Sequence, residues 1–237
     1  MTDLSDDELD RYARHLVLRE IGGRGQALIK AARIAVVGAG GLGSPCLLYL
    51  AAAGIGRITI IDDDSVAISN LQRQILFRTE DTGRPKATAA AAHLGALNPH
   101  VQILPVPARL ASGNAELLLK NHAVIADGCD SFATRLCVSD AATALQIPLV
   151  SGAVGAFDGQ VATFKGHDPA LPCYRCLVGD AHDRAEQSCA ESGILGALTG
   201  VIGAMMALEV LREITGFGDP LAGRLLLYDA LDRKSVV

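Results

Sequence analysis

The chain has 237 residues, half of them apolar and a fifth charged, which fits one large globular domain able to bury a sizeable core. Aromatic residues make up 4% and Trp is absent, so Ala, Val, Ile and Leu must build that core. A net charge of −5 opposes a nucleic-acid partner, which needs a basic stripe to displace counterions. The acidic start, Asp3 to Glu8, is unlike a basic leader, and no uninterrupted apolar run reaches the roughly 20 residues that span a bilayer. These features point to a cytoplasmic protein with no membrane partner.

In chain order, Asp6–Leu18 shows helical spacing of Leu9, Tyr12, Ala13 and Leu16, and Gly22–Gly25 should break it. A short helix over Gln26–Ala32 leads into a buried strand at Arg33–Val37. Strand and helix then alternate: helix Leu47–Ala53, strand Arg57–Ile61, helix Pro85–Leu97, strand Val101–Val106, helix Ala115–Lys120, strand Ala123–Ala126, helix Ser131–Leu145 and a strand from Pro148. That order predicts an α/β fold with a doubly wound, mostly parallel Rossmann-like sheet. Beyond Gly152, Ala156–Lys165 and Leu221–Asp229 read as antiparallel strands around one long helix, Gly193–Thr215. We expect a single domain spanning 1–237, with a nucleotide-binding half at 33–150 and the remainder, 151–237, extending the same sheet.

Gly38-Ala-Gly40-Gly41-Leu-Gly43 follows a strand and opens a helix. Gly38 permits the tight turn, Gly40 and Gly41 let a phosphate approach the backbone, and Gly43 lets helix and strand pack closely. Asp62, at the end of the next strand, is placed to accept ribose hydroxyls. This motif identifies an adenine nucleotide and leaves NAD, FAD, S-adenosylmethionine and ATP open.

The following residues favour ATP. Asp64, Asn70, Arg73 and Gln74 come next, then Gly83-Arg84-Pro85-Lys86. A dehydrogenase has no use for two such cations, whereas attack on the α-phosphate moves charge onto leaving pyrophosphate that Arg73 and Lys86 could stabilise. Lys86 opens a helix, where the dipole prefers anions, so stability alone does not explain it. Asp130 stands after the fourth strand at the sheet's carboxyl edge, where it could hold Mg²⁺, cap the next helix, or do both.

The ordered set Arg11-Tyr-Ala-Arg14, Gly38–Gly43, Ser69-Asn-Leu-Gln-Arg-Gln74, Gly83-Arg-Pro-Lys86, Cys173-Tyr-Arg-Cys176 and Ser188-Cys-Ala-Glu-Ser-Gly193 resembles the MoeB/ThiF/HesA family, bacterial relatives of ubiquitin-activating enzymes. The likeness runs from about Leu9 to the end. It implies a homodimer that uses ATP and Mg²⁺ to adenylate the C-terminal Gly-Gly carboxylate of a ubiquitin-fold sulfur carrier, with a sulfurtransferase as a further candidate partner. On that resemblance Asp62 holds the ribose, Arg73 and Lys86 the phosphates and Asp130 the metal, while Arg14 reaches into the partner subunit's site. The part 151–237 would bind the carrier and the second subunit. Molybdopterin synthesis is the expected pathway, thiazole synthesis the alternative. A dinucleotide-dependent oxidoreductase or a non-catalytic binding module are the readings from other classes.

Cys173 and Cys176 match half of the family's zinc site, and no further CxxC follows within these residues, so a tetrahedral Zn²⁺ is not expected. His15 and Ser131 stand where relatives have Gln and Asn. Cys189 precedes the long helix at the position where some relatives form a covalent sulfur link; that role and a merely incidental thiol both stay open. Cys46, Cys129 and Cys137 read as small core residues. The small-residue stripe Gly196, Gly200, Gly203, Ala204 and Ala207 suits either core or a dimer interface.

Overall fold

The structure is a computed structural model that describes residues 4–179 and 193–237. Eight strands form one sheet in the order β3-β2-β1-β4-β5-β6-β7-β8. Strands β1 (Arg33–Val37), β2 (Arg57–Ile61), β3 (Gln102–Val106), β4 (Val124–Asp127) and β5 (Leu149–Val154) pair in parallel. Then β6 (Asp158–Phe164), β7 (Leu225–Asp229) and β8 (Lys234–Val236) continue it antiparallel. This is the doubly wound sheet with antiparallel C-terminal strands that the sequence pattern predicts.

The central strands are apolar on both faces because helices cover both. Ile34 and Val36 of β1 join Ile58, Ile60 and Val150 in one core, and Ala35 and Val37 join Ile61, Ile125 and Leu149 in the other. The first core is closed by α3 (Gly22–Ala31), α4 (Gly43–Ala53), α5 (Lys86–Leu97) and α9 (Gly196–Thr215), which supply Ile29, Leu47, Leu50, Leu94, Ile202 and Met206. The second is closed by α6 (Ala115–Leu119), α7 (Phe132–Ala144) and α8 (Tyr174–Val178), through Leu119, Val138 and Tyr174.

Several expectations need correction. The N-terminal helix is two pieces, α1 (Asp6–Arg11) and α2 (Ala13–Leu16), divided at Tyr12. A capping box between Ser5 and Glu8 starts α1, and Tyr12 is drawn inward, where its hydroxyl accepts from Asn98 Nδ2 at 2.9 Å. Gly22–Gly25 does not break the chain but begins α3; buried Gln26, which donates to the Ala53 carbonyl at 2.9 Å, and buried Ile29 hold that helix by tertiary contact. Helix α4 starts at Gly43, not Leu47, and α9 at Gly196. Strand β8 lies in the charged tail that carried no strand signal. The stripe on α9 is mainly packed: added side chains would meet Gln72 at Gly196 and Pro45 at Gly203, while Gly200 faces open space.

Candidate active site

The strand order reverses between β1 and β4, and the glycine loop lies at that switch point, where open α/β sheets bind ligands. Gly38 N–H donates to Ile61 O at 2.9 Å and Gly128 N–H to Val37 O at 3.0 Å, so the turns after β1, β2 and β4 converge. Gly38 has φ +87°, and a Cβ there would stand 3.1 Å from the Cys129 nitrogen. A Cβ at Gly43 would collide with the Gly38 carbonyl, so the loop closes only with glycine at both ends.

A cavity of about 460 Å³ opens above this switch point. Its lining brings together Gly38, Gly40, Gly41, Asp62, Asp64, Arg73, Gln74, Lys86 and Asp130 of the sequence-predicted set. Asp62 is tied to the loop: its Oδ2 accepts from Ala39 N–H at 2.7 Å and its Oδ1 from Asp64 N–H at 2.9 Å. Burial nevertheless raises its carboxyl above the usual range, against the lowering effect of these bonds and of Lys86.

Lys86 reaches the cavity because two segments zip together. Val66 N–H bonds Arg84 O at 2.9 Å, Gly83 N–H bonds Val66 O at 2.8 Å, and Lys86 N–H bonds Asp64 O at 2.8 Å. Its ammonium meets Asp64 Oδ2 at 2.8 Å, with Lys86 6% and Asp64 69% exposed. Below the loop, solvent-inaccessible Asp81 accepts from Arg78 N–H at 3.0 Å and Arg84 Nη1 at 2.5 Å, and pairs with His93 Nε2 at 2.6 Å. Burial pushes that carboxyl upward, but these bonds outweigh it and hold it below the usual range.

Arg73 is half-buried; its Nη1 donates to Ser69 O at 3.1 Å, and Thr199 of α9 donates to the Arg73 carbonyl at 3.4 Å. Gln74 is 3% exposed and its Oε1 has no hydrogen-bond donor. Asp130 is exposed. The cap of α7 is Ser131, whose Oγ accepts from Thr134 N–H at 3.4 Å, so the cap alternative for Asp130 is set aside.

A family model described as the ThiF family matches residues 12–236. The chain belongs to the ThiF family. It is 50% identical over 232 residues to a sulfur carrier protein adenylyltransferase of Thermus thermophilus, covering 95% of this chain and 85% of that one. It is 39% identical to the molybdopterin-synthase adenylyltransferase of Escherichia coli, covering 98% and 92%. Among solved structures, Escherichia coli MccB with MccA-N7isoASN superposes with a TM-score of 0.84 at 19% identity, covering 98% of this chain and 72% of that one, a likeness of fold.

Within this ThiF-family chain the cavity suits a nucleotide triphosphate. A Cβ at Gly40 would meet only the Gln74 amide nitrogen, at 3.6 Å, so the loop backbone is open to an approaching phosphate on that side. The buried Gln74 oxygen lacks a donor, and it can accept from an N–H or O–H of the nucleoside but not from a phosphate oxygen. One exposed carboxylate, Asp130, is a donor set that suits Mg²⁺ shared with phosphates and water.

Other predicted residues lie elsewhere. Asn70 does not line the cavity; its carbonyl accepts from Arg73 N–H and Gln74 N–H, both at 3.0 Å, which sets the turn that presents them. Gly43 likewise serves the turn. Arg14 is exposed on α2 and outside the cavity lining. Cys173 and Cys176 have sulfurs 3.5 Å apart, and among the described residues no group of three His, Cys, Asp or Glu side chains could hold a metal. Two thiols do not make a tetrahedral zinc site. Cys189 lies outside the described residues. Cys46 is core, its thiol pushed up to about 12 by burial, whereas half-buried Cys129 lines the cavity and is raised well above its usual range, first by burial and then by Asp127.

Sequence reasoning missed Arg109, Arg135, Phe132, Tyr174 and Thr199, all of which line the cavity. Arg135 had a usable signal: like Lys86, it is a cation in the first turn of a helix, where the dipole disfavours it.

Proposed function

We propose that this chain is an ATP-dependent adenylyltransferase that activates the C-terminal Gly-Gly carboxylate of a ubiquitin-fold sulfur carrier. The observation that carries this reading is the convergence of Arg73, Lys86 and Asp130 on one cavity with the glycine loop. The carrier's carboxylate oxygen attacks the α-phosphorus, the bond from that phosphorus to the bridging oxygen breaks, and pyrophosphate leaves with the electron pair. No protein nucleophile is required, and Arg73 and Lys86 stabilise the charge that accumulates on the leaving group. Mg²⁺ held by Asp130 would supply further charge neutralisation at the phosphates. Asp62 holds the ribose, and its bond to Ala39 N–H keeps the loop open for the nucleotide.

The functional unit is a homodimer in which Arg14 completes the partner's site. Its exposure on α2, outside the cavity lining of its own chain, is consistent with action in trans. The residues from 151 onward take the carrier and the second subunit. We assign the carrier to molybdopterin synthesis, supported by the Arg11–Ala32 and Asn70–Gln74 patterns, with the thiazole-synthesis carrier as the alternative.

The test is carrier-dependent ATP–pyrophosphate exchange with each carrier ending in Gly-Gly. Exchange with neither, under conditions where ATP binds, would overturn the assignment. Mixing Arg14→Ala and Lys86→Ala chains tests the dimer. A mixed pair regains one intact site, so random association should restore about a quarter of wild-type activity. No recovery, with mixed dimers shown to form, would place Arg14 outside the partner's site.

A further inference from the structure

Asp130 has no hydrogen bond to its carboxylate among the described residues, so the position of its side chain depends on the backbone that carries it. That backbone is clamped. Cys129 N–H donates to Asp127 Oδ1 at 3.1 Å, and Cys129 C=O accepts from Arg135 Nη2 at 2.6 Å. The other Arg135 nitrogen, Nη1, donates to Ser151 Oγ at 3.3 Å and lies 4.0 Å from Asp127 Oδ2, to which Ser151 Oγ itself donates at 3.4 Å. Asp127, Ser151 and Arg135 therefore form a closed ring spanning β4, β5 and α7, with the backbone N–H and C=O of Cys129 both held by it. On the other side of Asp130, Arg135 N–H donates to Ser131 O at 3.0 Å.

This ring is an expensive arrangement for stability alone. Arg135 is 8% and Asp127 1% exposed, and a desolvated guanidinium at a helix N-terminus is opposed both by burial and by the dipole. A charge-assisted bond to a carbonyl is short and directional, and a planar guanidinium can grip two acceptors at once.

We propose that Arg135 is a positioning residue that fixes Asp130 for the metal–nucleotide complex through its grip on the Cys129 carbonyl. This inference rests on the reading of Asp130 as the Mg²⁺ ligand. Arg135 acts through Asp130, as outer partners of metal ligands do when they fix a ligand's orientation. An ammonium at this position keeps the counter-charge for Asp127 but has a single nitrogen, which cannot serve Cys129 O and Ser151 Oγ with the geometry of two.

The experiment measures Mn²⁺ affinity by electron paramagnetic resonance on the intact chain saturated with a non-hydrolysable ATP analogue. Arg135→Lys should weaken Mn²⁺ binding about tenfold, with Arg135→Gln at least as weak, each read at an analogue concentration shown to saturate that variant. Asp130→Asn is run alongside. If Asp130→Asn weakens Mn²⁺ and folded Arg135→Lys does not, the positioning role is overturned and the metal reading stands. If Asp130→Asn also leaves Mn²⁺ affinity unchanged, Asp130 is no ligand and both readings fall. A purely structural Arg135 would lower the melting temperature of the lysine variant without moving the Mn²⁺ affinity of its folded fraction.

Discussion

Replacing Lys86 with Ala separates the catalytic reading from a stabilising one, because the two predict effects of very different size. In the ligand-free chain the Lys86 ammonium has Asp64 as its partner at 2.8 Å, and that carboxylate is 69% exposed. Removing the lysine leaves Asp64 in water, not in a dry interior. A pair with one exposed member contributes up to about 1 kcal/mol, which for a chain of this length moves the melting temperature by about 2–4 °C. Loss of a preorganised cation at the site of developing phosphate charge costs roughly 3–4 kcal/mol in the transition state, or about 10²–10³-fold in rate. Carrier-dependent pyrophosphate exchange and a thermal melt on the same preparation read both quantities. A variant that melts within a few degrees of wild type and retains more than about a tenth of its exchange rate would refute the phosphate role.

Asp81→Asn tests the support beneath Lys86. Because the folded-state carboxyl is held below its usual value, its contribution is present above about pH 4 and is lost as the pH falls through the lowered folded value. The melting-temperature gap between wild type and variant should shrink from about pH 6 to about pH 3, and a constant gap would contradict it. Gly43→Ala should abolish ATP binding and destabilise by at least about 1–3 kcal/mol, since its Cβ would overlap the Gly38 carbonyl; calorimetric titration with ATP detects this, and unimpaired binding would show that the loop can yield. Elemental analysis should find well under one zinc per chain, because Cys173 and Cys176 supply about half of a tetrahedral donor set. One zinc per chain would require further ligands.

The central parallel strands were legible because β1, β2 and β4 are short apolar runs that end at Gly or Asp, and Arg33–Val37 and Arg57–Ile61 fall where the pattern places them. Helix α3 was partly hidden because three glycines oppose helix propensity by roughly 1 kcal/mol each, and what compensates is distant in sequence: the Ala53 carbonyl, the Glu8 partner of Lys30 and the surrounding core. Strand β8 was invisible because a three-residue edge strand has no apolar period of its own; its pairing of Tyr228 with Ser235 and Leu227 with Val236 arises from the sheet it joins. In the site, Arg73, Lys86 and Asp130 stand in motifs with local spacing. Arg109 lies far from these motifs in sequence and carries no local signal, whereas Arg135 shares the window of Asp130 and its misplaced charge at a helix start was the clue.

The carboxylates around the cavity divide by exposure, and the division follows from what each must do. Asp127 is 1% exposed and locked to Arg135, Ser151 and the Cys129 peptide, so removing either charge of that pair would leave the other buried without its counter-ion. Such a pair holds one geometry whether or not a ligand is present. Asp64 is largely solvated, so its bond to Lys86 can exchange for a phosphate oxygen at little cost: the released carboxylate is rehydrated where it stands. Asp62 lies between these cases, with each oxygen on one backbone N–H and its carboxyl raised by burial. A single-bonded carboxylate oxygen retains a second lone pair, so Asp62 can keep the loop in place and still accept from a ribose hydroxyl. A fixed ion pair and an exchangeable one therefore coexist around one cavity because burial, not residue type, sets which ion pairs can open.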